Sequence, residues 1–320
     1  MRKQNATVSR RGFLGVTAAT AAAAIVPARL WGQAGLAKPN SKVNGVQIGA
    51  ITYSYRELKT GHSAEQTLDY LLKSGLSSVE LMDGPINGFI KRPSFGGKDN
   101  PEANDKWLAA SEDKEIMARC AALRKMYADA GVTIHTAKFG NIGDGNMTDG
   151  EIEFCLKAAK ALGAVSITRE VDTRQNDENV AKRLGPLADK HKVYIGLHNH
   201  EQINAKTFDG PILSFGEYIA INLDIGHYTA ANDDSVVEIV EKYNKRIVSL
   251  HVKDRKNKAN GRANMPFGEG NTPIVEVLQL MRKNKYTFPA DIELEYKIPD
   301  GSDSVQEVAK CVQYCKKALA

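Results

Sequence analysis

The sequence predicts an α/β protein of the (β/α)8 barrel type, one domain over residues 38–320 behind an N-terminal export signal over residues 1–37. Three observations carry that prediction. Eight short, β-rich apolar runs alternate with amphipathic helical stretches. Several helices end in a glycine one to three residues before the next run, so each strand returns parallel to the one before it. No glycine-rich phosphate loop follows the first strand, which runs into Thr52-Tyr53-Ser54-Tyr55-Arg56. An open doubly wound sheet would usually carry such a loop, so eight units in a chain of 320 residues fit closure better.

The strand candidates are 46–52, 77–82, 132–136, 165–169, 193–198, 219–224, 247–252 and 291–295. Helical periodicity covers 63–74, 112–130, 148–162, 176–190, 233–243, 272–284 and 303–318. The 203–218 connection is only weakly helical, because Gly210, Pro211 and Gly216 break it. Helix starts carry capping residues: Ser63 before Glu65-Gln66, Thr148 with Glu151 three later, and Asn271-Thr272-Pro273. Two long connections follow strands and therefore belong to the barrel mouth, 83–111 and 255–271. The first holds Phe89, Phe95 and Trp107, too aromatic for a linker, and reads as a partial lid.

Residues 1–37 hold Arg2, Lys3, Arg10, Arg11 and Arg29 and no acid. Adjacent arginines precede the apolar run from Val16 to Val26, and small residues follow. That order describes a twin-arginine signal and a periplasmic or extracellular destination. The run is too short to span a bilayer, so no membrane span is expected after its removal. Without those five residues, 38 of the 43 basic residues face 38 acidic ones. A formally neutral body lacks the electrostatic footprint of nucleic-acid binding. Cys120, Cys155, Cys311 and Cys315 show no Cys-x-x-Cys spacing and read as small buried hydrophobes, with a Cys311–Cys315 disulfide open outside the cytoplasm.

Buried parallel strands should stay apolar to their ends. Here they do not. The fourth ends in Thr168-Arg169-Glu170 and the fifth in His198-Asn199-His200-Glu201. The sixth ends in Asp224-Ile225-Gly226-His227, the seventh in His251-Val252-Lys253-Asp254-Arg255, and the eighth in Glu293-Leu294-Glu295. Five of the seven histidines sit at such ends, His135 included. In a closed barrel all these ends ring one mouth, and period-two alternation lets one side chain from each strand point inward. Two imidazoles and two carboxylates suit Mn²⁺, Zn²⁺ or Co²⁺ better than Mg²⁺, which prefers more oxygen.

In that order, LHNHE, NLDIGH, SLHVKDR, GEG and IELEY, the chain resembles the xylose isomerase-like TIM-barrel family from Val46 to Leu319. That family contains sugar isomerases, sugar epimerases and inosose dehydratases. The resemblance implies that Asp224, His251 and Glu293 are metal ligands, with Glu293 preferred to Glu295 for its spacing from Tyr286. It also implies that His227 and Arg255 lie near substrate oxygens; His135, as a strand-end histidine, is expected on the substrate side as well. His198 stands where the family's epimerases carry a glutamate, which makes it the fourth expected ligand and removes one carboxylate acid/base. His200, Glu170 or Glu295 then supplies the base that takes a proton next to a carbonyl. Lys253 polarises an oxygen or pairs with a neighbouring carboxylate.

The expected function is metal-dependent isomerisation or epimerisation of a non-phosphorylated carbohydrate, since export weighs against sugar phosphates. A keto-glycoside lyase or inosose-type dehydratase at the same site, a non-catalytic sugar-binding barrel and an endonuclease IV-like phosphodiesterase are the alternatives. The last conflicts with the neutral body.

Overall fold

The computed structural model describes residues 38–171 and 177–320, so the twin-arginine segment lies outside the described residues. Eight parallel strands close on themselves: β1 (Val46–Ile51), β2 (Ser78–Met82), β3 (Thr133–Lys138), β4 (Ser166–Glu170), β5 (Tyr194–His198), β6 (Ile219–Asp224), β7 (Ile247–Val252) and β8 (Ala290–Ile292). Each pairs with the next in sequence, and β8 returns to β1. A two-residue strand, Lys42–Val43, adds antiparallel to β1.

The helical layer follows the sequence pattern. Helix Ala64–Lys73 opens on a reciprocal cap, in which Ser63 Oγ accepts from Gln66 N and Gln66 Oε1 accepts from Ser63 N. Thr148 and Asp303 cap helices Asp149–Leu162 and Ser304–Leu319 in the simpler way. Apolar faces of these helices meet the outside of the barrel, where Leu68, Leu71, Leu123, Phe154, Leu184, Val277 and Val312 are fully buried. All four cysteines are free and buried in the same layer. Among the described residues no helix is long and apolar enough to cross a membrane.

Several boundaries differ from the expectation, each for a local reason. β3 runs on to Lys138, so His135 is a mid-strand residue rather than a strand end. β8 stops at Ile292, although Glu293 N still donates to Val252 O at 3.0 Å and Leu294 N to Ser54 Oγ at 2.9 Å. The 233–243 helix begins only at Val236, capped by Ser235, and a separate helix that the pattern missed, Ile225–Ala231, starts on the Asp224 cap before it.

The aromatic connection is a packed insertion rather than an open lid. It forms helices Asp83–Ile90 and Ala103–Ser111. Its Trp107 ring is buried against Phe95 and Phe154, at centroid distances of 5.0 and 5.2 Å, under the Arg92 guanidinium. The 255–271 connection carries a small antiparallel pair, Asp254–Arg255 with Asn264–Met265.

Strand register sets the levels of the interior. Glu170 pairs with His198, His198 with Asn222, Asp224 with His251, and His251 with Asp291. The interior is therefore unusually polar for a barrel of this kind, whose inward positions are mostly branched apolar residues.

Candidate metal centre

Four side chains from four consecutive strands meet at the mouth: His198, Asp224, His251 and Glu293. One ligand-type atom from each lies within 4.8 Å of all the others, and all four residues are buried. Asp224 divides its work. Its Oδ1 accepts the His227 backbone N–H at 2.7 Å and starts the following helix, while Oδ2 is buried without a hydrogen bond. Asn199 ties the ends of β5 and β6 together, giving its Nδ2 hydrogen to Asp224 O at 3.0 Å and accepting from Asp224 N at 2.8 Å.

Cations and carboxylates alternate through the cluster. Lys253 Nζ lies 3.1 Å from Asp224 Oδ2, 2.8 Å from Glu293 Oε2 and 2.6 Å from Glu295 Oε2. Gly226 makes room for it, since a Cβ there would fall 2.2 Å from Lys253 Cγ. Burial alone would lower the Lys253 pKa, but the three carboxylates raise it, so the ammonium stays charged. Burial alone would likewise raise Glu293, whereas Lys253 and His251 hold it well below the carboxylate range. His251 lies between Glu293 and Glu80, 3.0 Å from each, and these neighbours overcome burial to raise its pKa well above the ordinary imidazole value. His198 goes the other way: burial, then the charge of His251, push it down to about 3.

Around this cluster stand the remaining expected residues. His227 is neutral, lowered to about 3 by burial and by Lys253. Arg255 Nη1 donates to its Nδ1 at 2.6 Å, and the other end of that guanidinium holds Glu201 at 2.7 Å. Arg262 closes the set on Glu201 at 2.7 Å. His200 is half exposed, with Nε2 3.2 Å from Glu170 Oε2. Glu170 also pairs with Lys138 of β3; despite burial, which would raise it, His198 and Lys138 hold its pKa at about 2. His198, His200 and His227 form a second ligand-type triplet nearer solvent, but Lys253 and Arg255 flank both nitrogens of His227, so positive charge opposes a cation there.

His135 is the one expected residue placed elsewhere. Its Nδ1 meets Ser78 Oγ and its Nε2 meets Asp291 Oδ2, both at 2.8 Å inside the barrel, which corrects its reading as a substrate-side residue. The structure adds a residue that the strand-end pattern missed. Glu80, at the middle of β2, is fully buried and touches His251 and Asn222. A glutamate between Val79 and Leu81 in a parallel strand was the available signal, since such a position should be apolar.

Comparison with known proteins bears on the fold. The family model described as a xylose isomerase-like TIM barrel matches residues 68–315. Among solved structures, a D-psicose 3-epimerase from Clostridium cellulolyticum superposes with a TM-score of 0.60 at 14% identity, over 86% of this chain and 99% of its own. The 3-keto-D-glucoside 4-epimerase of E. coli gives 0.57 at 14% identity, over 85% and 99%. A probable 3-DHS dehydratase from Bacillus anthracis gives 0.58 at 13% identity, over 84% and 98%. No curated protein matches the sequence.

Proposed function

Because the chain belongs to the xylose isomerase-like TIM-barrel family, we propose that it is a divalent-metal-dependent enzyme of the isomerase and epimerase type, taking a proton from the carbon next to the carbonyl of a non-phosphorylated sugar or keto-sugar. The observation that carries this reading is the convergence of His198, Asp224, His251 and Glu293, all buried, within 4.8 Å. The donor set fits a cation. Asp224 Oδ2 accepts no hydrogen bond and meets only charge, Lys253 Nζ at 3.1 Å, and ligand-type atoms of all four residues converge on one point. Two nitrogens and two oxygens favour Mn²⁺, Zn²⁺ or Co²⁺ over Mg²⁺. When bound, the ion would supply Lewis-acid polarisation of the substrate carbonyl.

The chain's own residues do the rest. His200 offers an imidazole to the substrate side, oriented by Glu170 as a carboxylate orients a general base. Glu295 stands across the cluster, beyond His227 and Lys253, as the second proton-handling group. His227 lies between two cations, with Arg255 Nη1 donating to its Nδ1 at 2.6 Å and Lys253 Nζ 2.9 Å from its Nε2, and so helps place both beside the substrate. Lys253 donates to oxygen where negative charge develops. The twin-arginine segment, and with it a periplasmic or extracellular location, supports a free sugar or keto-sugar. The neutral body gives no support to a nucleic-acid substrate.

One observation favours a second reading, β-elimination from a keto-glycoside or an inosose-type substrate. His198 stands in the fifth-strand position as a buried, neutral imidazole, so the paired carboxylates of a two-glutamate epimerase are not both present. Both readings share the first step. Metal-loaded protein is incubated in deuterated water with ordinary ketoses and with 3-keto-glycosides. Solvent deuterium at the carbon beside the carbonyl is expected with at least one of them and is lost in Asp224→Ala. Absence of exchange and product throughout would leave a non-catalytic sugar-binding barrel.

A further inference from the structure

We propose that Glu80, buried beneath the cluster on β2, is the positioning residue that fixes which ring nitrogen of both His251 and His198 faces the metal ligands. The inference rests on the proposed metal site and concerns a residue outside it.

A carboxylate only accepts hydrogen bonds, and that fact orients everything bound to it. Glu80 Oε2 lies 2.8 Å from Asn222 Nδ2 and 3.0 Å from His251 Nε2. The Asn222 amide must therefore turn its NH₂ toward Glu80, where it also reaches Thr168 Oγ1 at 3.0 Å. Its carbonyl Oδ1 is left facing His198 Nδ1 at 3.1 Å, so that nitrogen carries the hydrogen and Nε2 points at the cluster. On the other arm, His251 Nε2 must donate to Glu80, which leaves Nδ1 facing Glu293 Oε2 at 3.0 Å. One oxygen atom thus sets both rings, one directly and one through a side-chain amide. The two imidazoles lie 4.5 Å apart between centroids, so misorientation of either would be felt by the other.

A purely structural role does not account for this residue. Glu80 is 0% exposed, the charge it touches is that of His251, with Lys138 acting from farther off, and its Oε1 has no hydrogen bond. Burying a carboxylate with one oxygen unpaired is costly, and packing between Val79 and Leu81 alone would call for an apolar side chain. Carboxylates that hold metal-ligating imidazoles in one orientation typically account for about 10–100-fold in metal affinity.

Chelator-stripped wild type, Glu80→Gln, Glu80→Leu and Asn222→Ala are titrated with Zn²⁺ and Co²⁺, with Co²⁺ visible absorption and metal-free urea stability followed in parallel. Wild type is expected to take up one ion. Glu80→Leu should bind roughly 100-fold more weakly with an altered Co²⁺ spectrum, and its metal-free stability should fall as well, because His251 loses one partner of a buried pair. Glu80→Gln keeps an acceptor and should lose only about tenfold. Asn222→Ala frees only His198 and should fall between wild type and Glu80→Leu. If Glu80→Leu does not fold, the isosteric Gln variant and Asn222→Ala decide. Unchanged affinity and spectrum in the variants would overturn the role of Glu80 and leave the metal site standing. No uptake by wild type would remove both.

Discussion

Lys253 and Asp224 face each other across 3.1 Å inside the barrel mouth, and the same ammonium lies within 2.8 Å of Glu293. The protein thus carries an internal cation beside the oxygens proposed to hold a divalent one. Lys253→Met would leave three carboxylates without it. Removing one partner of a buried ion pair costs about 3–5 kcal/mol, and the metal-free variant should lose that much in urea unfolding. Added Mn²⁺ or Zn²⁺ should restore more stability to the variant than it adds to wild type, because two cations no longer compete. Equal metal-induced shifts in the two proteins would refute the competition.

Acid stability follows from the neutral imidazoles. His198 and His227 are held at about 3 by burial and neighbouring positive charge, against an ordinary 6.5. Between those values the unfolded chain binds more protons than the folded one, so stability is present near neutrality and is lost as pH falls from 6.5. At about 1.4 kcal/mol per pKa unit, each contributes a loss of roughly 2–3 kcal/mol by about pH 4.5. Glu80 and Glu170, both at about 2, extend the loss below 4.5, whereas His251, raised, acts in the opposite direction as pH rises through its folded value. Urea midpoints of chelated protein from pH 7.5 to 4.5 measure the slope, and His227→Gln should flatten it. A profile that stays level to pH 4.5 excludes this account.

The sequence made the barrel legible because closure is written in local signals. Strand runs, capping residues such as Ser63 and Thr148, and short returns recur in most units, and β1–β8 appear where the strand runs lie. The ligand cluster was legible for the same reason, since His198, Asp224, His251 and Glu293 break the apolar pattern at or beside strand ends. Glu80 and Asp291 were not, because mid-strand interior positions give no end signal and the imidazoles they meet, His251 and His135, are 171 and 156 residues away. His135 was misread because its strand continues three residues further, to Lys138. The 83–111 helices escaped notice because Gly84, Pro85 and Gly88 look like breakers, although Pro85 falls in the first helical turn, where it is tolerated.

Two glycines should respond in opposite ways to alanine. Gly226→Ala places a Cβ 2.2 Å from Lys253 Cγ and 2.7 Å from its carbonyl oxygen, in a site where the lysine stem is buried. It should cost about 1–3 kcal/mol and displace the ammonium, so activity falls more than stability alone explains. Gly84→Ala meets nothing within 4 Å on an exposed helix start and should be neutral or stabilising by up to about 1 kcal/mol. Thermal melts of both variants, read against activity, check the contrast.

Asp254 organises the loop that follows β7. Its Oδ2 accepts from Gly268 N at 2.8 Å and Gly270 N at 2.9 Å, and Oδ1 accepts from Thr272 N at 3.2 Å. Asp254→Ala removes one acceptor from three backbone donors, so the 256–271 segment should become protease-sensitive while the barrel stays folded. Arg255, just before this segment, and Arg262, within it, hold Glu201, and substrate affinity should weaken with kcat less affected. Limited proteolysis with and without substrate tests this; identical cleavage of variant and wild type would exclude it.

The proton-handling groups separate the two reaction readings. Return of a proton to the opposite face needs a group on each side of the substrate, and here His200 with Glu170 faces Glu295 with Lys253 across His227. Elimination with a single base needs only one side for the exchange step. For epimerisation or isomerisation, His200→Gln and Glu295→Gln should each lower turnover by about 10²–10⁴ with metal content unchanged. Glu170→Gln acts through His200 and should cost less, and it should shift the pH dependence of turnover rather than abolish it. If epimerisation or isomerisation is the reaction, one of the two Gln variants keeps solvent exchange while losing product, because deprotonation survives and reprotonation does not. If elimination by a single base is the reaction, exchange and product fall together in the variant that lacks that base, and the other variant keeps both.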